Sequence, residues 1–270
     1  MACGKRASAD RGGRKVRAGE HVMRVGCLLV HGFTGAPFEM EPLAGPLRDI
    51  GCVVRNICLP GHDTSFEDFR RTVFADWVAH AEDEYRALER EVDAVVPVGL
   101  SMGGAIALHL AQVFRPLGVV ALAAPMYVYR IIPWRMKDWR LPLVGLLRHV
   151  RPVWPSAPRS EIARTVAPWR GYEEATALPQ LHSLIVGAAG VRRGLGRVTA
   201  PLLVMQARGD ATVHYSNALH IAAHVASPDV TLKLFDIVDR RAGHHVITTH
   251  TECRDRVSGT VRDFVQGLFS

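Results

Sequence analysis

A serine between two glycines is the residue of this sequence best placed to act as a nucleophile. It lies in the run Val98-Gly99-Leu100-Ser101-Met102-Gly103-Gly104, after an apolar stretch at 94–98 and before a stretch rich in helix formers at 103–111. A strand, a sharp turn and a helix in that order are the setting of a nucleophile elbow, which exposes the serine hydroxyl. The alternative is a glycine-rich turn in which Ser101 only caps the following helix.

A serine hydroxyl needs a neighbouring base near neutral pH, and that base needs a group that orients it. Asp210 follows an apolar run at 201–207, and His245 follows the last predicted strand. Both would lie at the carboxyl ends of strands, where ligand sites gather in open α/β sheets. We therefore predict a triad of Ser101, His245 and Asp210. The alternatives that the sequence leaves open are His244 as the base and Asp236 or Asp239 as the acid.

The residues after the first predicted strand could stabilise the negative charge that develops on a substrate oxygen. They read His31-Gly32-Phe33-Thr34-Gly35. We expect the backbone N–H groups of Phe33 and Met102 to form an oxyanion hole, in which one donor typically contributes about 3 to 4 kcal/mol of transition-state stabilisation. The alternative is an ordinary turn at the end of a strand.

Short apolar runs alternate with amphipathic stretches along most of the chain. This alternation is typical of a parallel sheet with helices on both faces. The predicted strands are 25–30, 52–59, 94–98, 118–123, 201–207 and 230–235. The predicted helices are 39–50, 74–91, 217–225 and an amphipathic helix near the C-terminus. The expected fold class is therefore α/β, with a mostly parallel, doubly wound sheet.

The alternation stops between about residues 125 and 197, where proline, arginine and four of the five tryptophans are concentrated. Short helices are expected there at 143–149 and 172–188. An insertion after the strand ending near Ala123 would form a small helical lid over the carboxyl ends of the strands, with aromatic residues lining an acyl pocket. Alternatively, the tryptophans only hold a small subdomain together. The predicted domains are a lid at 125–197 and a core at 21–124 and 198–270.

Positive charge is concentrated at the N-terminus. Residues 1–20 hold six Lys or Arg against two acidic residues, which gives +4 of the net charge of +7. They hold little to bury, so we expect a disordered basic tail. Because the rest of the chain is nearly neutral and no nucleic-acid-binding motif accompanies the tail, no nucleic-acid partner is expected.

Composition argues against several other protein classes. The chain has 270 residues, 48% of them hydrophobic, which is enough for one large core. The five cysteines form no C-x-x-C pair, and His62-Asp63 has no second ligand cluster, so neither a metal site nor a disulfide framework is expected.

No apolar run approaches the roughly 18 residues that cross a bilayer. No apolar segment typical of a secretory signal follows the basic N-terminus, so a cytoplasmic location is expected.

Four motifs together resemble a known family. They are His31-Gly32-Phe33-Thr34-Gly35, Pro60-Gly61-His62, Gly99-Leu100-Ser101-Met102-Gly103-Gly104 and His245-Val246-Ile247-Thr248. They resemble the α/β-hydrolase superfamily, and within it the bacterial carboxylesterase and monoacylglycerol lipase group. The resemblance implies an α/β-hydrolase fold, Ser101 as nucleophile, His245 as general acid–base, Asp210 as its orienting partner, and Phe33 and Met102 as oxyanion donors. Members usually carry a serine and an acidic residue where this chain has Gly243 and His250.

The expected activity is that of a serine carboxylic-ester hydrolase that forms an acyl-enzyme on short- to medium-chain esters or monoacylglycerols. No cofactor is required for this chemistry. The partner would be a small-molecule ester, and the chain would be a monomer or a homodimer. The alternatives are a thioesterase, a perhydrolase or a C–C hydrolase with the same triad, or a non-catalytic receptor of the same fold.

Overall fold

The computed structural model describes residues 23–129 and 138–270. The strands within these ranges, in chain order, are β1 (Val25–Val30), β2 (Val53–Ile57), β3 (Ala94–Leu100), β4 (Val119–Leu122), β5 (Val153–Pro155), β6 (Ala175–Ala177), β7 (Leu202–Ala207) and β8 (Val230–Phe235). One sheet runs in the order β2-β1-β3-β4-β7-β8, and all of its neighbouring strands are parallel. The remaining strands, β5 and β6, form an antiparallel pair.

The helices in the same ranges connect these strands. They are α1 (Glu41–Asp49), α2 (Phe66–Phe69), α3 (Phe74–Glu89), α4 (Met102–Val113), α5 (Val144–Val150), α6 (Glu161–Val166), α7 (Leu178–Arg193), α8 (Ser216–His224) and α9 (Arg254–Gly267). A one-turn 3-10 helix, Pro37–Glu39, precedes α1. No helix in the described ranges is long and apolar enough to cross a membrane.

The sheet is covered on both faces because its strands are apolar on both faces. Leu28 and Val30 of β1 belong to the core closed by α3 and α4, whereas Cys27 and Leu29 belong to the core closed by α1 and α9. Successive side chains of a strand point to opposite faces, so β1 contributes to both cores. Continuous apolar runs are what fully buried parallel strands need. The predicted α/β fold class, with a doubly wound parallel sheet, is confirmed.

The segment between β4 and β7 is less helical than the sequence suggested. It contains α5, α6 and α7, but also the β5–β6 pair, which was not predicted. Each of these strands has three residues and one ends in Pro155, so neither shows the alternation that marks a longer strand. The predicted basic tail, residues 1–20, and Trp134 of the predicted lid lie outside the described residues.

Candidate active site

Ser101 is the single residue between β3, which ends at Leu100, and α4, which begins at Met102. Its backbone has φ of 54° and ψ of −119°, a conformation that costs a non-glycine residue about 1 to 3 kcal/mol. Two hydrogen bonds hold it there. The Ser101 N–H donates to the Leu122 carbonyl at 2.7 Å, and the Ser101 carbonyl accepts from the Ala105 N–H at 3.2 Å. The serine is therefore held in a sharp strand-to-helix turn, as the motif predicted.

The glycines of the motif are required by close backbone packing. A Cβ added to Gly99 would overlap the Gly103 carbonyl, and one added to Gly103 would overlap the Val30 carbonyl. Neither obstacle is a side chain that could rotate away. Only glycine at both positions lets β3, α4 and β1 come as close as they do.

The structure brings the three predicted triad residues together. His245 Nε2 lies 2.8 Å from Ser101 Oγ, and His245 Nδ1 lies 2.6 Å from Asp210 Oδ2. The neighbouring His244 instead directs its Nε2 to the Asp239 carbonyl at 2.9 Å. Of the two adjacent histidines, it is therefore His245 that contacts the serine and an acid.

The two alternative acids have other partners. Asp236 pairs with Arg208 at 3.0 Å, and Asp239 pairs with Arg241 at 2.7 Å. Asp210, by contrast, is only 3% exposed and is aimed at the imidazole. The geometry therefore selects Asp210 from the three candidates.

Asp210 is held as a carboxylate by its surroundings. Its Oδ1 accepts from the backbone N–H groups of Thr212, at 2.7 Å, and Val213, at 2.9 Å. Its Oδ2 accepts from the Gln206 side-chain amide at 2.7 Å. Burial alone would raise the pKa of Asp210, but the charge of His245 and the hydrogen bonds from His245, Val213 and Thr212 lower it below its ordinary value. Gln206 was not predicted from the sequence; its signal is a polar residue inside an otherwise apolar strand.

The turn after β1 leaves one backbone N–H available next to Ser101. The Gly32 N–H donates to Glu39 Oε2, and the Thr34 N–H donates to His62 Nε2. The Gly35 N–H donates to the Gly32 carbonyl within the turn. The Phe33 N–H has no acceptor in the part of the chain that the structure describes. Gly32 is close enough to the nucleophile that a Cβ on it would lie 3.4 Å from Ser101 Cβ.

Met102 supplies a second backbone N–H beside the serine. It is the first residue of α4, and the N–H groups of a first helical turn have no acceptor within the helix. The positive end of the helix dipole adds to the attraction for a negatively charged oxygen. Phe33, after Gly32, and Met102, after Ser101, are therefore the two candidates for oxyanion donors.

Two buried histidines support the turn after β1. His31 Nε2 accepts from the Leu59 N–H at 3.1 Å, while its Nδ1 donates to the Gly32 carbonyl at 2.9 Å. His62 Nε2 accepts from the Thr34 N–H at 3.2 Å. Burial lowers the pKa of His31 to about 3 and that of His62 to about 4. Both rings are therefore neutral acceptors near neutral pH, and Pro60-Gly61-His62 shapes the loop beside the site.

A cavity of about 780 Å³ opens above the serine. Ser101, His245 and Gly32 line it, and the segment between β4 and β7 supplies much of its apolar wall, including Trp169, Tyr172, Leu181 and Leu184. Of the other described tryptophans in that segment, Trp154 stacks with Arg140 and Trp139 is 67% exposed. Among the described tryptophans of that segment, Trp169 is thus the one that lines the pocket.

The described residues contain no group of three or more His, Cys, Asp or Glu side chains that could hold a metal ion. The cysteines in these ranges are free thiols. Cys27, Cys52 and Cys253 are buried and Cys58 is exposed.

Comparison with known proteins gives this geometry a family context. Residues 27–258 match the alpha/beta hydrolase family. The thermostable monoacylglycerol lipase of Bacillus sp. (strain H-257) is 32% identical over 228 residues, which cover 83% of this chain and 84% of that protein. The carboxylesterase of Bacillus subtilis (strain 168) is 28% identical over 244 residues, which cover 89% of this chain and 92% of that protein.

Solved structures share the fold over almost the whole chain. A structure from work on two metagenome-derived lipolytic enzymes, LipS and LipT, has a TM-score of 0.78 at 26% identity and covers 91% of this chain and 94% of that chain. The monoacylglycerol lipase of Paleococcus ferrophilus has a TM-score of 0.71 at 14% identity, with 90% and 94% covered, and so shows the fold alone. The resemblance inferred from the motifs is confirmed, and the chain belongs to the alpha/beta hydrolase family.

Proposed function

We propose that this chain is a serine carboxylic-ester hydrolase acting on short- to medium-chain esters or monoacylglycerols. The observation that carries the proposal is the hydrogen-bonded path from Ser101 Oγ through His245 to the buried Asp210, at the base of a cavity with an apolar wall. Relatives named as a monoacylglycerol lipase and a carboxylesterase support the choice of an ester substrate.

The first half of the reaction transfers the acyl group to the enzyme. Ser101 Oγ attacks the ester carbonyl carbon while His245 Nε2 takes the hydroxyl proton. The carbonyl oxygen becomes negatively charged and accepts hydrogen bonds from the N–H groups of Phe33 and Met102. The His245 imidazolium then gives its proton to the leaving alcohol, and the acyl group stays on Ser101.

The second half releases the acid. Water enters the site, His245 takes one of its protons, and the resulting hydroxide attacks the acyl carbon. The same oxyanion donors stabilise the second tetrahedral intermediate. The bond to Ser101 Oγ breaks, and the imidazolium returns a proton to that oxygen. Asp210 keeps the Nδ1 proton of His245 in place and stabilises the imidazolium throughout.

The segment between β4 and β7 would act as the lid that sets substrate choice. Leu181 and Leu184 offer an apolar surface for an acyl chain, while Arg159 and Glu173 add polar groups to the same cavity. Substrate class therefore depends on this segment more than on the triad. The cytoplasmic location, the monomeric or homodimeric state and the lack of a nucleic-acid partner stay predictions from the sequence.

The experiment that tests the proposal is hydrolysis of a p-nitrophenyl ester series from acetate to palmitate, alongside monoacylglycerols and acyl-CoA thioesters. Wild-type protein should hydrolyse the oxygen esters, and Ser101→Ala should abolish turnover. Ser227→Ala, in the loop between α8 and β8, is the matched control and should keep full activity. A preference for thioesters would favour the thioesterase alternative, and turnover retained by pure Ser101→Ala protein would refute the proposal.

Labelling with a fluorophosphonate probe separates an enzyme from a receptor of the same fold. An activated serine reacts with the probe, whereas an ordinary hydroxyl does not. We expect one label per chain on wild-type protein, and none on Ser101→Ala. An unlabelled wild-type protein would point to a binding role.

A further inference from the structure

Glu39 is a buried carboxyl group that the mechanism above does not use. It ends the 3-10 helix Pro37–Glu39 and is 1% exposed. Its Oε2 accepts a hydrogen bond from the Gly32 N–H at 3.0 Å, and its Oε1 is buried without a hydrogen-bond partner. A half-satisfied buried carboxyl is costly to keep, so its position beside the oxyanion turn calls for an explanation.

Only the glycine backbone separates this carboxyl from the nucleophile. A Cβ on Gly32 would lie 3.2 Å from Glu39 Oε2 and 3.4 Å from Ser101 Cβ. Glu39 also belongs to the wall of the cavity that contains Ser101 and His245. In such a dry setting a charge acts on its neighbours far more strongly than it would in water.

The charged and titratable groups around Glu39 are few. His245 faces it from the loop after β8, and its positive form would attract the carboxylate. Arg159 faces it from the segment between β4 and β7. His31 and His62, which support the same turn, are kept neutral by burial.

The ionisation of Glu39 falls in the pH range in which the enzyme would work. Burial raises the pKa of Glu39 to about 7, although the Gly32 N–H, the charge of His245 and the nearby Trp169 indole and Ala36 backbone groups act in the opposite direction. Near neutral pH the carboxyl therefore shifts between a neutral form and an anion. The anion is the stronger acceptor for the Gly32 N–H.

We propose that Glu39 is a positioning residue of this active site, whose carboxylate fixes the Gly32 amide and whose negative charge stabilises the imidazolium that His245 forms. By holding Gly32, it sets the direction of the next backbone N–H, that of Phe33, toward the substrate oxygen. By its charge, it assists proton transfer from Ser101. The inference rests on the proposed function, because it assigns Glu39 a role in that same reaction.

The variant Glu39→Gln separates the charge from the hydrogen bond, because an amide oxygen can still accept from Gly32. We expect the acid limb of kcat/KM against pH to move to lower pH by about 0.2 to 0.5 pH unit, since the imidazolium loses the negative charge that part of the Glu39 population carries near neutral pH. The plateau kcat should fall about threefold to tenfold, with KM little changed. The matched control is Glu41→Gln, which removes an exposed carboxylate two residues away and should leave the limb where it is.

Two further variants test the hydrogen bond. Glu39→Ala leaves the Gly32 N–H without an acceptor, and its kcat should be about tenfold below that of Glu39→Gln. Glu39→Asp keeps the charge, so its acid limb should match that of wild-type protein even where kcat is lower. A purely structural role would lower the melting temperature of these variants without moving any acid limb, and that result would overturn the proposal.

Wild-type protein provides a measurement that does not depend on any variant folding. NMR of histidine-labelled protein should show a biphasic titration of the His245 ring, because Glu39 ionises beside it. A single-step curve between pH 5 and 9 would overturn the proposal. The proposed function is tested separately by ester hydrolysis in Ser101→Ala. If Ser101→Ala is inactive while Glu39→Gln keeps the wild-type acid limb of kcat/KM, the role of Glu39 is refuted and the proposed function stands.

Discussion

The side-chain amide of Gln206 donates a hydrogen bond to Asp210 Oδ2 at 2.7 Å, so it shares that oxygen with His245 Nδ1. Gln206 is fully buried in β7, and the same amide donates to the Val213 carbonyl at 3.1 Å. Two donors on one carboxylate oxygen fix the direction in which the carboxylate faces the imidazole. Gln206 therefore orients the Asp210 carboxylate, although it is not among the residues that line the cavity.

Replacing Gln206 with leucine, which is similar in size, tests this orientation. We expect kcat to fall about tenfold, with KM nearly unchanged, because the carboxylate loses one of the groups that hold it. Steady-state kinetics on p-nitrophenyl butyrate measures the effect. Gln112→Leu is the matched control, because Gln112 of α4 donates to the Val191 carbonyl of α7 and not to Asp210. Equal kcat values for Gln206→Leu and wild-type protein would contradict the prediction.

Replacing Asp210 with asparagine tests which acid serves His245. The amide would favour the wrong tautomer of the imidazole and could not stabilise its charged form, so kcat should fall by roughly 10³- to 10⁴-fold. Asp236→Asn should keep wild-type kcat, because Asp236 pairs with the exposed Arg208 instead. Single-turnover acylation measures both. Comparable losses in the two variants would point to an error in the assignment of the acid.

Much of the fold could be predicted from the sequence because its strands are buried on both faces. β1 and β8 have the predicted bounds, and the other strands of the main sheet differ from prediction by one or two residues at one or both ends. Continuous apolar runs give a strong local signal. The turn at Ser101 could also be predicted from the sequence, because Gly99 and Gly103, two residues to either side, are required where backbones pack closely.

Other parts of the site could not be predicted because they depend on contacts between distant segments. The sequence favoured His245 over His244 only through the Val246-Ile247-Thr248 that follows it, whereas the structure shows His244 on the Asp239 carbonyl and His245 facing Ser101. Glu39 resembled any acidic residue near a helix start. Its burial and its bond to Gly32 arise from the path of the chain after β1.

The close packing of the elbow gives a test of stability. Gly99→Ala places a Cβ against the Gly103 carbonyl, so we expect the free energy of unfolding to fall by about 3 kcal/mol or more. Gly259→Ala is the matched control, because nothing lies within 4 Å of the Cβ that it adds to α9. That variant should gain up to about 1 kcal/mol from helix propensity. Urea denaturation measures both, and equal stabilities would contradict the packing argument.

The raised pKa of Glu39 predicts how stability depends on pH. An ordinary glutamate ionises near pH 4.5 when the chain is unfolded, whereas burial raises the pKa of Glu39 to about 7 in the fold. The folded chain therefore binds more protons than the unfolded chain between these values. The stability that comes from the raised pKa is fully present below pH 4.5 and is lost as pH rises through 7, a loss of about 3 kcal/mol.

Glu39→Gln should not show this loss, because the amide does not ionise. Relative to wild-type protein, its free energy of unfolding should therefore increase by about 3 kcal/mol between pH 4.5 and pH 8.5. Urea denaturation at several pH values measures the difference, with Glu41→Gln as the exposed control. Parallel stability curves for Glu39→Gln and wild-type protein would show that the carboxyl ionises as easily in the fold as in water. A relative gain that builds up between pH 4.5 and 7 and stays constant above that range would instead show that the fold gives up stability to keep a carboxylate beside Gly32 and His245.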